Sequence, residues 1–406
     1  MTAAKDAGDN VCPKDAKHTL LFCSSNHAYV HLIELAWPVI AVFLRMEYNW
    51  SYTQAFAFVL VPGLLFGLGA LPGGILADRY GVFRVLRISN LLVGLLCISV
   101  FFTSSVMVLM LQAGSIALLT GFYHPAGMTA ISSVFNRRRG KAFGTHGLLG
   151  AFGQPLSPIL VGLSVGFLGT WRYAALVWGV YGLALSASGR GLSIRKPDEY
   201  AEEKHDVEYA HAARGLLHTL PLLILLFLSL QGIIYRGVQV PLTMVYNDVY
   251  GLDTVWMTLA TSLLFLSAIP GHLAGGWATD RWGSTTALFR FSALACAASV
   301  MLFLSWNVIL FSASIMLFGF GVFGAQSPSN SIAAEATLKN VRGLFYGLSF
   351  VTHFGVSFTA VLLMGGLGDA HGLQSIFPVI MVAAVAGVAT VAAIAHIRQR
   401  SLHHAG

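Results

Sequence analysis

The chain has 406 residues, 56% of them hydrophobic and only 10% charged, with a mean hydropathy of +0.72. A soluble protein of this length needs roughly a quarter of its residues charged to cover its surface, so this composition excludes an ordinary water-soluble domain and points to a bilayer as solvent. The formal net charge of +7 does not imply a nucleic-acid partner, because the basic residues follow the short connections between apolar segments.

Residues 1–19 are polar and mixed in charge and are expected to form a cytoplasmic tail without a cleavable signal. Twelve segments then follow, each of the length a helix needs to cross a bilayer, about 20 residues. The first six cover 20–44, 52–76, 85–104, 106–133, 143–167 and 172–189 and form an N-terminal bundle over 20–189. The polar stretch 190–216 is a cytoplasmic linker expected to carry a short surface helix. The last six cover 217–245, 254–278, 286–304, 307–334, 344–367 and 373–396 and form a C-terminal bundle over 217–396, followed by a cytoplasmic tail at 397–406. The fold class this predicts is an all-α polytopic membrane protein.

Orientation follows from charge. Of the 24 lysines and arginines, all but Arg45, Arg172 and Arg236 fall in the termini and the even-numbered connections. That bias places both termini in the cytoplasm of a multi-pass protein of the inner (plasma) membrane. Trp50, Trp171, Trp256 and Trp306 fall at the opposite connections, where an indole is at home among headgroups. The four cysteines show no metal-ligand spacing and read as packing residues and one tail thiol.

The two bundles are a duplication. GGILADRYG at 73–81 returns as GGWATDRWG at 275–283, RGKAFG at 139–144 as RGLFYG at 342–347, and Pro38 as Pro241, all at nearly one spacing. The repeated Gly-x-x-x-Asp-Arg-x-Gly sequence, Gly74, Asp78, Arg79 and Gly81 followed by Arg84, then Gly276, Asp280, Arg281 and Gly283, resembles the signature loop of the major facilitator superfamily. The resemblance covers essentially the whole chain and implies two pseudo-symmetric six-helix bundles. It implies a conformational role for these residues, with Asp78 latching the halves in an outward-open state. The second copy has no basic residue at the place of Arg84.

Narrower likenesses point to function. YHPAG at 123–127 and NHAYVHLIELAWPVI at 26–40 resemble fosmidomycin-resistance-type members and related drug exporters, with His31 where that group carries an acidic residue. Gly144, Gly153, Pro158 and Gly162 resemble the Gly-Pro motif of proton-coupled antiporters, with Ser157 and Val161 at two places where glycine is usual.

Ionisable groups inside a bilayer are costly, so each is a functional candidate. Glu34 lies mid-span in the first segment with His27 and His31 on the same helical face, and Arg236 lies mid-span in the seventh, nearly opposite Glu34 under the repeat. The resemblance places both on cavity-lining spans. Two readings are open: a coupling pair, in which a proton on Glu34 frees Arg236 for an anionic or polar substrate, or a static ion pair tying the halves together. His124, His146 and His353 are candidate proton carriers. Tyr123, Tyr235, Gln326 and Asn330 are candidate ligand contacts or helix glue, and Glu335 is a gate or support residue paired with Lys339 at i+4. His27, His31 and Glu34 form the one intramembrane set with ligand spacing; they are read first as proton-handling groups with no metal site assigned, and ligation of a divalent cation is the alternative reading of the same triplet.

No Walker loop is present, and the glycines around Gly67 and Gly73 lie inside a spanning segment without a βαβ context. The sequence therefore predicts a monomeric secondary transporter, not an enzyme, with no cofactor beyond the proton gradient. Its partners are the lipid bilayer, protons and a small-molecule substrate. Proton-coupled efflux of a small polar or anionic compound or drug is the leading expectation. Proton-coupled uptake of an organic anion, metabolite or iron-related ligand is the alternative.

Overall fold

A computed structural model describes residues 13–135, 139–192, 215–337 and 341–403. Residues 136–138 and 338–340, including Lys339, lie outside the described residues, as do most of the linker and the first twelve residues. Among the described residues all regular structure is helical, and eleven segments are long and apolar enough to cross a membrane. The sixth span, Arg172–Ser188, is shorter at 17 residues, a length of about 25 Å. The protein is thus a multi-pass membrane protein. The apolar stripe of Leu68, Leu71 and Ile75 on the second span, all exposed, fits a lipid-facing surface.

Several helices run further than their apolar cores. The first covers Pro13–Glu34 and Ala36–Tyr48, the second Tyr52–Tyr80, the third Val82–Phe101, the fifth Arg139–Leu168 and the twelfth Ile376–His403. The repeated Asp-Arg motif is therefore not a loop. Both copies are the last turns of a helix, separated from the next helix by a single residue, Gly81 or Gly283. These two glycines share one backbone geometry, φ 88° and ψ 136° against φ 80° and ψ 152°, which side chains other than glycine rarely tolerate.

The chain separates into two compact units. One comprises residues 1–47, 57–200 and 253–262, the other 48–56, 201–252 and 263–406. Inside the first unit span 1 packs on span 5 and span 3 on span 6; inside the second, span 7 (Thr219–Gln239) packs on span 11 (Arg342–His371) and span 9 (Ser284–Leu304) on span 12. The duplication is thus visible as the same pairings made twice. In the second unit Asp369 of span 11 accepts the backbone N–H groups of Tyr52 and Thr53 at 2.7 and 3.0 Å, capping the start of span 2.

Close helix approach explains the glycines. A Cβ on Gly73 would stand 2.4 Å from the Phe122 Cα, and one on Gly275 would stand 2.3 Å from the Gly324 carbonyl oxygen. The tight position of the motif is thus its first glycine, whereas Gly74 makes only ordinary contact with Pro125 and Gly276 faces open space. In span 5, a Cβ on Gly153 would lie 2.3 Å from the Ala28 carbonyl oxygen, while Gly144 has nothing within 4 Å. One expectation is corrected here: Trp171 is not among headgroups but buried, with the Arg172 guanidinium over its ring at 4.8 Å. The turn at Gly169, with φ 77°, folds that end of the connection inward.

Gly153→Val is expected to destabilise the protein by about 1–3 kcal/mol through overpacking of span 5 on span 1. Gly144→Ala is expected to be neutral or slightly stabilising. The melting temperatures of the two purified variants in detergent, compared with wild type, check both.

Candidate functional site

Proline positions the site. Proline has no N–H, so the carbonyl four residues earlier loses its helical partner and the helix is free to break there. Span 1 breaks at Leu35, three residues before Pro38, and span 4 breaks at Phe122, three before Pro125. Span 10 breaks at Ala325 before Pro328 and span 8 at Ser267 before Pro270, in the same register. Span 7 yields at Val240 and Pro241 and continues through a short π-helix, Val245–Val249. Pro62, Pro72, Pro155 and Pro158 lie inside continuous helices, so proline permits these breaks without compelling them.

The first two breaks bring six side chains together in the first unit. Glu34 is the last helical residue before the break in span 1; His31 and His27 lie one and two turns earlier. Tyr123 and His124 open the second half of span 4, and His146 stands on span 5. His27 stacks on His146 with ring centres 4.2 Å apart, and His124 lies edge-on to His27 at 5.5 Å and to Phe66 at 5.7 Å. A Cβ on Gly150 would overlap the His27 ring, so this glycine makes room for the imidazole.

The hydrogen bonds fix where protons sit. His27 Nδ1 lies 3.1 Å from the His146 carbonyl oxygen, which can only accept, so Nδ1 carries a hydrogen. His27 Nε2 faces His31 Nε2 at 3.1 Å, and His31 Nδ1 faces Glu34 Oε2 at 3.1 Å. Each of these contacts needs one hydrogen as well. Two neutral imidazoles and a carboxylate supply two, and the three bonds need three. The His27–His31–Glu34 array is therefore a continuous hydrogen-bonded path with a place for one proton more than two neutral imidazoles carry.

A second chain runs beside the first. The Tyr123 hydroxyl donates to the Cys23 carbonyl, so its oxygen accepts from His146 Nε2 at 2.6 Å. This leaves Nε2 of His146 as the protonated nitrogen. His31 and Glu34 retain 17% and 10% side-chain exposure, whereas Tyr123 and His146 are buried.

The second unit holds the candidate cation. Arg236 is buried in the last turn of span 7, just before the break at Pro241. Its guanidinium lies over the rings of Tyr235, Phe354 and Phe358 at 5.1, 5.3 and 5.1 Å, and Nη1 donates to Gln239 Oε1 at 2.9 Å. An aromatic cage of this kind steadies a cation without neutralising it. His353 Nδ1 donates to the Leu228 carbonyl oxygen at 3.0 Å and packs on Gly232. It therefore ties span 11 to span 7, as His27 ties span 1 to span 5.

The other candidates separate from these clusters. Gln326 and Asn330 are exposed, four residues apart on the short helix Gln326–Ala336. Glu335 pairs with Arg398 of span 12. Asp78, Arg79, Arg84, Asp280 and Arg281 are exposed at the ends of spans 2, 3 and 8. Sequence reasoning missed Phe354, Phe358 and Gln239 around Arg236, and the backbone acceptors of Cys23 and His146. The i+3 position of Gln239 was a readable signal; the carbonyls were not, since every residue has one.

The sequence profile described as Major Facilitator Superfamily matches residues 28–361. The chain belongs to that superfamily. The transporter asaE of Aspergillus flavus, itself described as a member, is 25% identical over 275 residues, 64% of this chain and 59% of the fungal protein, so the match spans less than two thirds of that relative's length. Solved structures share the superfamily fold. A bacterial homolog of the human lysosomal transporter Spinster, inward-facing and occupied, superposes with a TM-score of 0.73 at 14% identity, covering 94% of this chain and 96% of that one. The nucleoside transporter NupG gives 0.74 at 12% identity, covering 93% and 99%.

Tyr123→Phe removes a hydroxyl that satisfies two buried groups at once. It is expected to cost about 1–3 kcal/mol and to lower the melting temperature in detergent. An unchanged melting temperature would show that the hydroxyl organises nothing.

Proposed function

We propose that the chain is a secondary active transporter that works by alternating access and couples export of a small polar or anionic compound to protons. Members of this superfamily are typically carriers rather than enzymes, and we read this chain as a monomeric carrier in the plasma membrane with both termini cytoplasmic. The observation that carries the reading is the coincidence of broken spans with polar groups. The irregular turns of spans 1, 4 and 10 lie beside Glu34, Tyr123 and His124, and Gln326, and that of span 7 follows Arg236 by four residues. Irregular turns within membrane helices are how secondary transporters build binding sites, because the freed backbone groups and nearby side chains can hold a polar cargo.

In this reading Glu34 and the two imidazoles above it take up and release the coupling proton. When that proton leaves, the array becomes negative, and when it returns the charge is cancelled. Arg236, held in its own unit by three aromatic rings, supplies the positive charge for an anionic group on the substrate. The span 5 likeness to proton-coupled antiporters supports export, and the likenesses of residues 26–40 and 123–127 to drug exporters support a drug among the cargo.

The test pairs a thermal-shift screen of anions and drugs with flux into proteoliposomes under an imposed pH gradient. Arg236→Ala is expected to lose ligand stabilisation. Glu34→Gln is expected to retain exchange without a gradient but to lose pH-driven accumulation at least tenfold. Wild-type behaviour of both variants would end the proposed mechanism.

A further inference from the structure

Two imidazole nitrogens aimed at one another are unusual partners, because each is as ready to accept as to donate. In the first unit His27 Nε2 and His31 Nε2 stand 3.1 Å apart, and a ring nitrogen of His124 completes a triangle whose atoms all lie within 4.8 Å of one another. Two imidazole nitrogens bound to one tetrahedral zinc ion stand about 3.3 Å apart, so the observed pair needs little movement to share a cation.

The surroundings of the two rings point the same way. Histidines that ligate metals donate their other ring N–H to a carbonyl or carboxylate, which fixes the tautomer and strengthens the ligating nitrogen. His27 places Nδ1 on the His146 carbonyl and His31 places Nδ1 on the Glu34 carboxylate, each at 3.1 Å. Both outer partners are therefore built. The third ring comes from a different helix, at the break before Pro125, and the stacked His146 is committed through Nε2 to Tyr123. Between residues 18 and 44, 106 and 134, and 142 and 168, spans 1, 4 and 5 contain no lysine or arginine, so these helices offer no fixed positive charge to oppose a cation beside Glu34.

We propose that His27, His31 and His124 form a binding site for a divalent first-row transition-metal cation. All-imidazole donors suit zinc, copper, nickel and iron and leave magnesium and calcium, which seek oxygen, poorly held. Three protein ligands leave a fourth position open, as a cargo that must later depart requires. The cation takes the place of the hydrogen between the two Nε2 atoms, so one proton leaves as one cation binds. This deepens the transport reading by naming a cargo class for the same site, and it rests on that reading only for its physiological use.

The test uses the full chain without a polyhistidine tag, titrated with Co²⁺ and Zn²⁺ in detergent. One Co²⁺ per chain is expected, with the visible absorption of a tetrahedral nitrogen-ligated ion, displaced by Zn²⁺ but not by Mg²⁺. His31→Gln and His124→Gln are expected to weaken binding at least tenfold, and Glu34→Gln about 10- to 100-fold through loss of its support to His31. A control with His403→Ala and His404→Ala, which lie in the tail sequence, is expected to bind as wild type. Unaltered circular dichroism and melting of the variants separate lost ligation from lost fold. Absence of stoichiometric Co²⁺, or binding that survives both His31→Gln and His124→Gln, would overturn the site. If that happened while pH-driven flux of an organic substrate persisted, the transport reading would stand alone. Saturable binding in a protein that moves nothing across a liposome membrane would do the reverse.

Discussion

In a medium that offers no hydrogen bonds, a helix can lose a backbone partner only where something else repays the loss, and proline removes one partner wherever it stands. In this chain that constraint marks three places where polar side chains gather. The carbonyls of Glu34, Gly121 and Gly324 sit four residues before Pro38, Pro125 and Pro328, and each helix interrupts its regular structure immediately afterwards. The polar side chains gather at those places. Glu34 lies at the first, Tyr123 and His124 at the second, and Gln326 at the third.

The duplication copies the backbone device but not the side chains. Pro125 and Pro328 stand 203 residues apart, as do Pro38 and Pro241. At the same spacing His27, His31 and Glu34 correspond to Leu230, Ile234 and Gly237, and Tyr123 and His124 to Gln326 and Ser327. The first unit thus carries an imidazole cluster and the second a caged guanidinium. The two units share a backbone device and differ in the chemistry it carries. The reciprocal placement of His353 opposite the position of Gly150, with each imidazole seated on a glycine of the partner helix, shows one packing solution used from opposite sides.

Close packing holds these groups where they are. Because lipid is as apolar as leucine, helices in a bilayer gain little from burying hydrophobic faces against each other and depend on surface fit and a few hydrogen bonds. Gly73, Gly150, Gly153 and Gly275 supply the fit, letting main chains or an imidazole ring approach where a methyl group would collide. The Tyr123 hydroxyl, linking the Cys23 carbonyl to His146, supplies a bond that crosses three helices.

The sequence alone determined the membrane class, the twelve apolar segments, the duplication and the short roster of buried ionisable residues, because hydropathy and helical periodicity are local properties written residue by residue. It also placed His27, His31 and Glu34 on one face, since 3.6 residues per turn requires it. It did not show that the Asp-Arg motif is helix up to a single glycine, that Trp171 turns inward, or that Glu335 reaches Arg398. Only tertiary structure decided that His124 and His146 join the first-span histidines, that a backbone carbonyl sets the tautomer of His27, and that three aromatic rings surround Arg236. Those facts depend on which helices lie side by side and how closely. Steric fit between distant segments sets that, and no local pattern in the chain encodes it by itself.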